Sequence, residues 1–90
     1  MKETDIKDFR KQIDRLDEIL MTTLSKRMVL MPQIAEYKRR NKMPLHQPQR
    51  EEEIIKNKRA MADIKKLNPD FVEEIYRRIF KEARRIQSLH

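Results

Sequence analysis

Apolar residues recur at every third or fourth position over the first third of the chain, and this spacing limits the fold more than any other feature. The positions are Ile6, Phe9, Ile13, Leu16, Leu20, Leu24, Met28, Met31 and Ile34. The period is that of an α-helix with one apolar face, and no strand-like alternation competes with it. The sequence therefore predicts a first helix from near Thr4, as its N-cap, to about Arg40, roughly 55 Å long at the rise of an α-helix.

Pro32 lies inside this predicted helix. An interior proline removes one helical hydrogen bond and clashes with the preceding turn, at a cost of about 3 kcal/mol. The apolar face nevertheless resumes in phase at Ile34 and continues to Lys38. The pattern therefore predicts a kink at Pro32 and not the end of the helix.

Two further helices follow a loop at residues 41–47. Pro48 suits the first turn of the second helix, where its missing N–H is no loss. Asn68 is predicted to cap a third helix that runs from Pro69 to about Ser88. Its predicted inward residues are Phe71, Val72, Ile75, Ile79, Phe80, Ala83 and Ile86. The sequence thus predicts an all-α fold of three helices, in a single domain over residues 1–90.

The two shorter helices cannot cover the whole apolar face of the long one. A monomer would leave a long hydrophobic strip in water, which soluble monomers rarely do. The simplest prediction is a homodimer in which the two long helices pack together.

Composition excludes several classes of site. The chain has no cysteine, which rules out disulfides and thiolate chemistry, and no glycine, which argues against phosphate-binding glycine loops. No segment approaches the length of a membrane span, and the charged N-terminus does not resemble a signal peptide. A cytoplasmic protein without a membrane partner is expected. The net charge of +7 is compatible with nucleic acid or small anions as ligands.

Two cations, Arg27 and Lys38, interrupt the apolar face of the first helix. They are eleven residues apart, which places them on nearly the same side of the helix at roughly 16 Å from each other. An unpaired buried charge is costly. They must therefore reach solvent, pair with internal carboxylates, or face a pocket that receives an external anion.

Other polar residues share the predicted helix-facing positions: Arg10, Arg50, Glu51 and Gln87. Each has an ordinary explanation by itself, such as a helix-surface ion pair or a first-turn acid. No nucleophile–base set and no metal-ligand spacing accompanies them, and His46 and His90 are predicted to be exposed bystanders. Such a set suits a small polyanion that is held and stabilised electrostatically, without a metal or cofactor.

The order and spacing of these residues resemble the all-helical chorismate mutases over nearly the whole chain. The resemblance begins in residues 9–20, FRKQIDRLDEIL, and continues through Arg27, Lys38, Pro44 and the run Pro48-Gln49-Arg50-Glu51. It implies an intertwined homodimer of three-helix subunits with two equivalent sites. The implied reaction is the intramolecular Claisen rearrangement of chorismate to prephenate in phenylalanine and tyrosine biosynthesis, with no cofactor.

The resemblance also implies roles for individual residues. Arg27 would bind one substrate carboxylate, and Arg10 would reach the partner's site to bind the second. Lys38 would contact a carboxylate and the ether oxygen, to which Gln87 would also donate a hydrogen bond. Negative charge grows on that oxygen as its bond to the ring breaks, so donors aimed at it favour the transition state.

Near the start of the second helix, Glu51 would hold the ring hydroxyl, with Arg50 shaping the site. The chain departs from the better-known members at two binding positions. Gln47 replaces an aspartate, which removes a good helix cap, and Ala83 replaces a serine that helps to bind a carboxylate. Loss of the serine could weaken substrate binding, or the neighbouring Arg84 could compensate.

Two alternatives remain open on the sequence. An isochorismate pyruvate lyase would share the scaffold and the cationic site. The presence of both Arg50 and Glu51 and the length of the loop favour the mutase. A basic helical dimer that binds nucleic acid is suggested by the net charge and by Lys38, Arg39, Arg40 and Lys42. No helix–turn–helix spacing or aromatic stacking platform supports it, so no nucleic acid partner is expected.

Overall fold

The computed structural model describes residues 5–90, and these residues form helices joined by short loops. The helices are α1 (Ile6–Val29), α2 (Met31–Arg40), α3 (Pro48–Ile64) and α4 (Pro69–Ser88). The predicted all-α class with a long first helical segment is confirmed. Within the described part of the chain, no helix combines the length and the apolar character needed to cross a membrane.

The first helix is capped by Asp5, and not by Thr4, which lies outside the described residues. The Asp5 carboxylate accepts hydrogen bonds from the backbone N–H groups of Lys7 at 2.7 Å and Asp8 at 3.3 Å. The Asp8 carboxylate in turn accepts from the Asp5 backbone N–H. This reciprocal capping box satisfies donors that the helix itself cannot use, so the cap falls one residue after the predicted position.

The sequence predicted one helix with a kink at Pro32, whereas the structure divides this segment into α1 and α2 at Leu30, two residues before the proline. Regular α1 ends at Val29, and Leu30 separates it from α2 while keeping right-handed helical backbone angles. Pro32 has no N–H to donate to the Met28 carbonyl, and its ring would clash with that carbonyl. The Leu30 N–H bonds to the Arg27 carbonyl at 3.3 Å, in a tighter turn. The structural break therefore precedes the proline that causes it.

Helix α1 carries its apolar face on the surface of the single chain. None of its described side chains is buried. The exposed fraction lies between 51% and 62% for five of the predicted face residues: Ile6, Phe9, Ile13, Leu16 and Leu20. An apolar face of this length in water is unfavourable.

The core of residues 31–90 forms where α4 packs against both α2 and α3. Its buried residues are Met31, Ala35, Ile55, Ala62, Phe80, Ala83 and Gln87. Three of these are alanines, whose small side chains let helix backbones approach closely. Gln87 is a polar member of this otherwise apolar set, and its partners are described below.

Two residues predicted to point inward on α4 are exposed. Phe80 and Ala83 are buried as predicted, but Phe71 is 53% exposed and Ile75 is 40% exposed. At the helical period, Ile75 lies roughly a third of a turn and Phe71 roughly two fifths of a turn around α4 from the buried face. The prediction was wrong for them because α4 is apolar over a wider arc than the neighbouring helices cover.

The two predicted proline starts are confirmed, and their caps differ in quality. Asn68 accepts a hydrogen bond from the Asp70 backbone N–H at 2.9 Å at the start of α4. Gln47 occupies the N-cap of α3, and its side chain makes no capping hydrogen bond. A glutamine side chain is too long for the geometry that aspartate or asparagine adopts, so α3 begins with an uncapped first turn.

Replacing Gln47 with aspartate is therefore expected to stabilise the protein by about 1 kcal/mol. For a chain of this size, this corresponds to a rise in Tm of about 4–8 °C. Thermal unfolding followed by circular dichroism measures the change. Gln47→Ala is the matched control and should be nearly neutral, because no cap is lost. An aspartate variant no more stable than the alanine variant would refute the prediction.

Candidate active site

A lysine and a glutamine from different helices meet in the interior of residues 31–90. Lys38 lies in the last turn of α2, and its Nζ donates to the Gln87 Oε1 at 2.8 Å. The same ammonium donates to the Leu45 backbone carbonyl at 2.9 Å. Lys38 is half-buried and Gln87 is only 5% exposed. The packing of α4 on α2 thus joins two predicted site residues that are 49 positions apart in sequence.

The Gln87 amide is fixed at both ends. Its Oε1 accepts from Lys38, and its Nε2 donates to the Met31 Sδ at 3.5 Å. A thioether sulfur is a weak acceptor, so this amide N–H can be redirected to a better acceptor at little cost. Ala83 lies one turn earlier on the same face and is also buried. Its methyl group adds no hydrogen-bonding group to the pair.

The environment of Lys38 alters its acid–base behaviour. Burial lowers the pKa of the Lys38 ammonium below the ordinary lysine value of 10.5, because desolvation disfavours the charged form. The carboxylate of Glu51 acts in the opposite direction and raises that pKa. Glu51 on α3 is therefore electrostatically coupled to the lysine of α2.

Glu51 also forms an ion pair with Arg84. The Arg84 Nη1 lies 2.6 Å from both carboxylate oxygens of Glu51, in a partly buried ion pair between α4 and α3. The sequence indicated Arg84 only as a possible compensation for the serine missing at Ala83, whereas in the structure Arg84 pairs with Glu51. The ring of His46 is exposed as predicted, and its Nε2 lies 3.7 Å from the Glu51 Oε1. Glu51 therefore pairs with Arg84, lies near His46 and acts electrostatically on Lys38.

The remaining predicted positions on α3 surround the start of that helix. Gln47 is half-buried at the N-cap, and Arg50 is exposed with its Nη1 3.4 Å from the Glu53 carboxylate. A surface cleft at this point is lined by Pro44, His46, Gln47, Pro48, Gln49, Arg50 and Glu53. Arg50 and Gln47 thus share a cleft next to the loop whose Leu45 carbonyl binds Lys38.

The two remaining predicted cations, Arg10 and Arg27, belong to α1. Arg10 is exposed and Arg27 is half-buried. Their Cα atoms are separated by about 25 Å along the helix, from seventeen residues at the α-helical rise. The two carboxylates of one small molecule are much closer together than this. This separation argues against both arginines of one chain binding the same small molecule.

Sequence reasoning missed the pairing of Arg84 with Glu51 and the contact of Met31 with Gln87. Arg84 precedes Gln87 by three positions, so helical spacing places it beside the buried face. That spacing was a usable signal for Arg84. No feature of the sequence indicated that Met31 accepts a hydrogen bond, because its position in the apolar face of the predicted first helix indicated only packing.

The arrangement is suited to binding an anion and not to covalent catalysis. A half-buried ammonium and a buried amide can both donate to a negatively charged oxygen, while a neighbouring carboxylate can accept from a hydroxyl group. Over residues 5–90, no cluster of three or more histidine, cysteine or acidic side chains is positioned to hold a metal. The fold and the site together define an all-helical protein in which an ammonium, an amide and a carboxylate from three helices are grouped at one place.

Comparison with known proteins identifies the family. The family model described as "Chorismate mutase type II" matches residues 9–88, so the chain belongs to that family. A T-protein of Enterobacter agglomerans is 34% identical over 74 residues, covering 82% of this chain and 20% of that protein. A bifunctional chorismate mutase/prephenate dehydratase of Aquifex aeolicus is 41% identical over 51 residues, covering 57% of this chain and 14% of that protein.

A second T-protein, from Haemophilus influenzae, is 31% identical over 78 residues, covering 87% of this chain and 21% of that protein. The chain spans about a fifth of the length of the T-proteins it matches. No solved structure matches the chain significantly.

The lowered pKa of Lys38 gives a testable pH dependence. For the reaction with chorismate proposed below, and if the ammonium form is the active one, kcat/KM should fall as pH rises through that pKa, and the fall should begin below the ordinary lysine value of 10.5. Initial rates at low substrate across alkaline pH measure this, with circular dichroism at each pH to confirm that the protein stays folded. A kcat/KM that is constant past that value would contradict the prediction.

Proposed function

We propose that this chain catalyses the rearrangement of chorismate to prephenate, a step of aromatic amino acid biosynthesis. The observation that carries the proposal is the partly buried Lys38–Gln87 pair, in a chain of the chorismate mutase type II family. In this reaction, the ether C–O bond of one molecule breaks as a new C–C bond forms. No proton is transferred, so the protein needs neither a nucleophile nor an acid–base pair for the chemical step.

Lys38 and Gln87 would stabilise the ether oxygen as negative charge develops on it. An ammonium has three N–H donors, and the Gln87 and Leu45 oxygens use two of those of Lys38. The third is available to the substrate. The Gln87 amide N–H can exchange the weak Met31 sulfur for the same oxygen. The Lys38 ammonium and the Gln87 amide are held together by their own hydrogen bond, so the proposed mechanism needs only a small reorganisation to direct both donors at that oxygen.

The carboxylates of chorismate would be bound by arginines, whose planar guanidinium groups suit bidentate pairing with carboxylates. Arg27 is assigned to one of them within the chain. Arg10 is assigned to the other, across a homodimer, because about 25 Å of helix separates the two arginines of one chain. Glu51 is assigned to the ring hydroxyl, with Arg50, Gln47 and Ala83 as further residues lining the site.

The homodimer itself is part of this proposal. The exposed apolar face of α1 supports it, since a second copy of the same face would remove those side chains from water. The proposed unit is a single chorismate mutase domain over residues 1–90, with a cytoplasmic location and no cofactor.

Incubation of the purified protein with chorismate, with the products identified, tests the function. Formation of prephenate without pyruvate is the expected result. An isochorismate pyruvate lyase would instead release pyruvate from isochorismate and leave chorismate unchanged. Failure to convert chorismate would reject the proposal, and binding of duplex DNA at low salt would then support the nucleic acid alternative.

A further inference from the structure

We propose that Arg84 is a positioning residue. It holds the Glu51 carboxylate in the orientation needed to accept a hydrogen bond from the ring hydroxyl of the substrate. This inference rests on the proposed function. It assigns a task to a side chain that does not itself touch the reacting atoms. It also identifies a feature of this chain's own sequence, a guanidinium group next to the alanine that departs from the family pattern.

The geometry of the ion pair supports a fixed carboxylate. A single nitrogen, the Arg84 Nη1, lies 2.6 Å from both Glu51 oxygens, so rotation of the carboxylate would lengthen at least one contact. The side chains are partly buried, with 34% of Arg84 and 18% of Glu51 exposed. Such charge-assisted hydrogen bonds are short and strong, and partial burial reduces their screening by solvent.

The charges around Glu51 explain why this orientation matters to the site. The carboxylate interacts electrostatically with Lys38, the proposed donor to the ether oxygen. The Glu51 carboxylate is therefore bonded to the Arg84 guanidinium on α4 while it acts electrostatically on the Lys38 ammonium on α2. Without Arg84, the carboxylate would be free to turn toward Lys38 and compete with the substrate for its remaining N–H donor. The exposed His46 ring, 3.7 Å away, is a weaker substitute.

A direct contact between Arg84 and a substrate carboxylate is the competing explanation, since a guanidinium has five N–H donors. The two explanations differ in their dependence on Glu51. A positioning role disappears when Glu51 no longer carries a charge, whereas a direct contact survives that change. A double-mutant cycle between the two residues separates them.

The helix pair offers a matched control. Arg77, also on α4, bonds to Glu52 on α3 at 3.1 and 3.4 Å, in an ion pair that is more exposed than that of Arg84. Arg77→Met removes a second contact between the same two helices without touching the proposed site. It shows how far a weakened α3–α4 contact by itself changes the kinetics.

The experiment compares kcat/KM for chorismate in Arg84→Met, Glu51→Gln, the double variant and Arg77→Met, each checked by circular dichroism. Arg84→Met is expected to lose about tenfold, a typical effect of removing a hydrogen bond to a charged group. In the Glu51→Gln background, the same change should cost less than about twofold, and Arg77→Met should equal the wild type. The Gln side chain can still accept from a hydroxyl, so the background remains measurable.

Three results would overturn the inference in distinguishable ways. Full additivity of the two substitutions would show that Arg84 acts independently of Glu51. A wild-type rate in Arg84→Met, with the wild type active, would refute the positioning role alone. An inactive wild type would refute the proposed function together with this role. If Arg84→Met does not fold, Arg84→Lys carries the same cycle, with an expected loss of about threefold that vanishes in the Glu51→Gln background.

Discussion

Replacing Lys38 with alanine is expected to lower kcat for chorismate by about 10²–10³-fold, the usual cost of deleting one fixed donor to a developing negative charge. The Lys38 Nζ is the atom that joins α2, the Leu45 carbonyl and the Gln87 amide. In the proposed mechanism, the ether oxygen then loses its ammonium, and Gln87 loses the partner that orients its Oε1. Steady-state kinetics with chorismate measure the loss, and sedimentation with circular dichroism should show a folded dimer.

Two further variants make this experiment specific. Arg39→Ala removes the adjacent cation of α2, which pairs on the surface with Glu36, and should leave kcat unchanged. Lys38→Met keeps the length and apolar stem of the side chain without its charge. It should be as inactive as Lys38→Ala if the ammonium is what matters. Near-normal turnover in either Lys38 variant would reject the assigned role.

A mixed dimer of Arg10→Ala and Lys38→Ala subunits is expected to recover activity that neither homodimer has. If Arg10 acts in the partner's site, one site of the mixed dimer combines an intact Arg10 with an intact Lys38. The other site lacks both residues. Mixed dimers purified through two different tags should therefore have about half of the wild-type activity per dimer.

The control for this experiment is an Arg10→Ala dimer carrying the same two tags, which should stay inactive. Recovery in the mixed dimer would support both the homodimer and the contribution of Arg10 in trans. A mixed dimer as inactive as its parents would show that each site is built within one subunit.

Residues whose positions are decided locally were well predicted. The proline at the start of α3 and the Asn68 cap of α4 follow from backbone geometry and from hydrogen bonds within two residues. The break near Pro32 also follows from a local cause, the missing N–H, although the sequence placed it two residues too late. Caps and breaks depend on the identity of a few adjacent residues, which the sequence states directly.

The resemblance to a family supplied Lys38, Gln87 and Glu51 as a set before any geometry was known. The residues by themselves allowed solvent, internal carboxylates or an external anion as partners of Lys38. The structure shows an amide and a backbone carbonyl as its hydrogen-bond partners. Those partners follow from the packing of α4 on α2 and from the path of the loop at residues 41–47, and no local pattern encodes either one.

The sequence alone determined an all-helical chain with a long first helical segment and cations within its apolar pattern, because helical periodicity is a property of neighbouring residues. The tertiary structure decided which long-range pairs form: Lys38 with Gln87 and Arg84 with Glu51. It also left Phe71 exposed while burying Phe80. These outcomes depend on how one helix rotates and seats against another. The packing of α4 on α2 and α3 is set by the burial of apolar area and the pairing of charges over residues 31–90 together. No single segment of sequence specifies it.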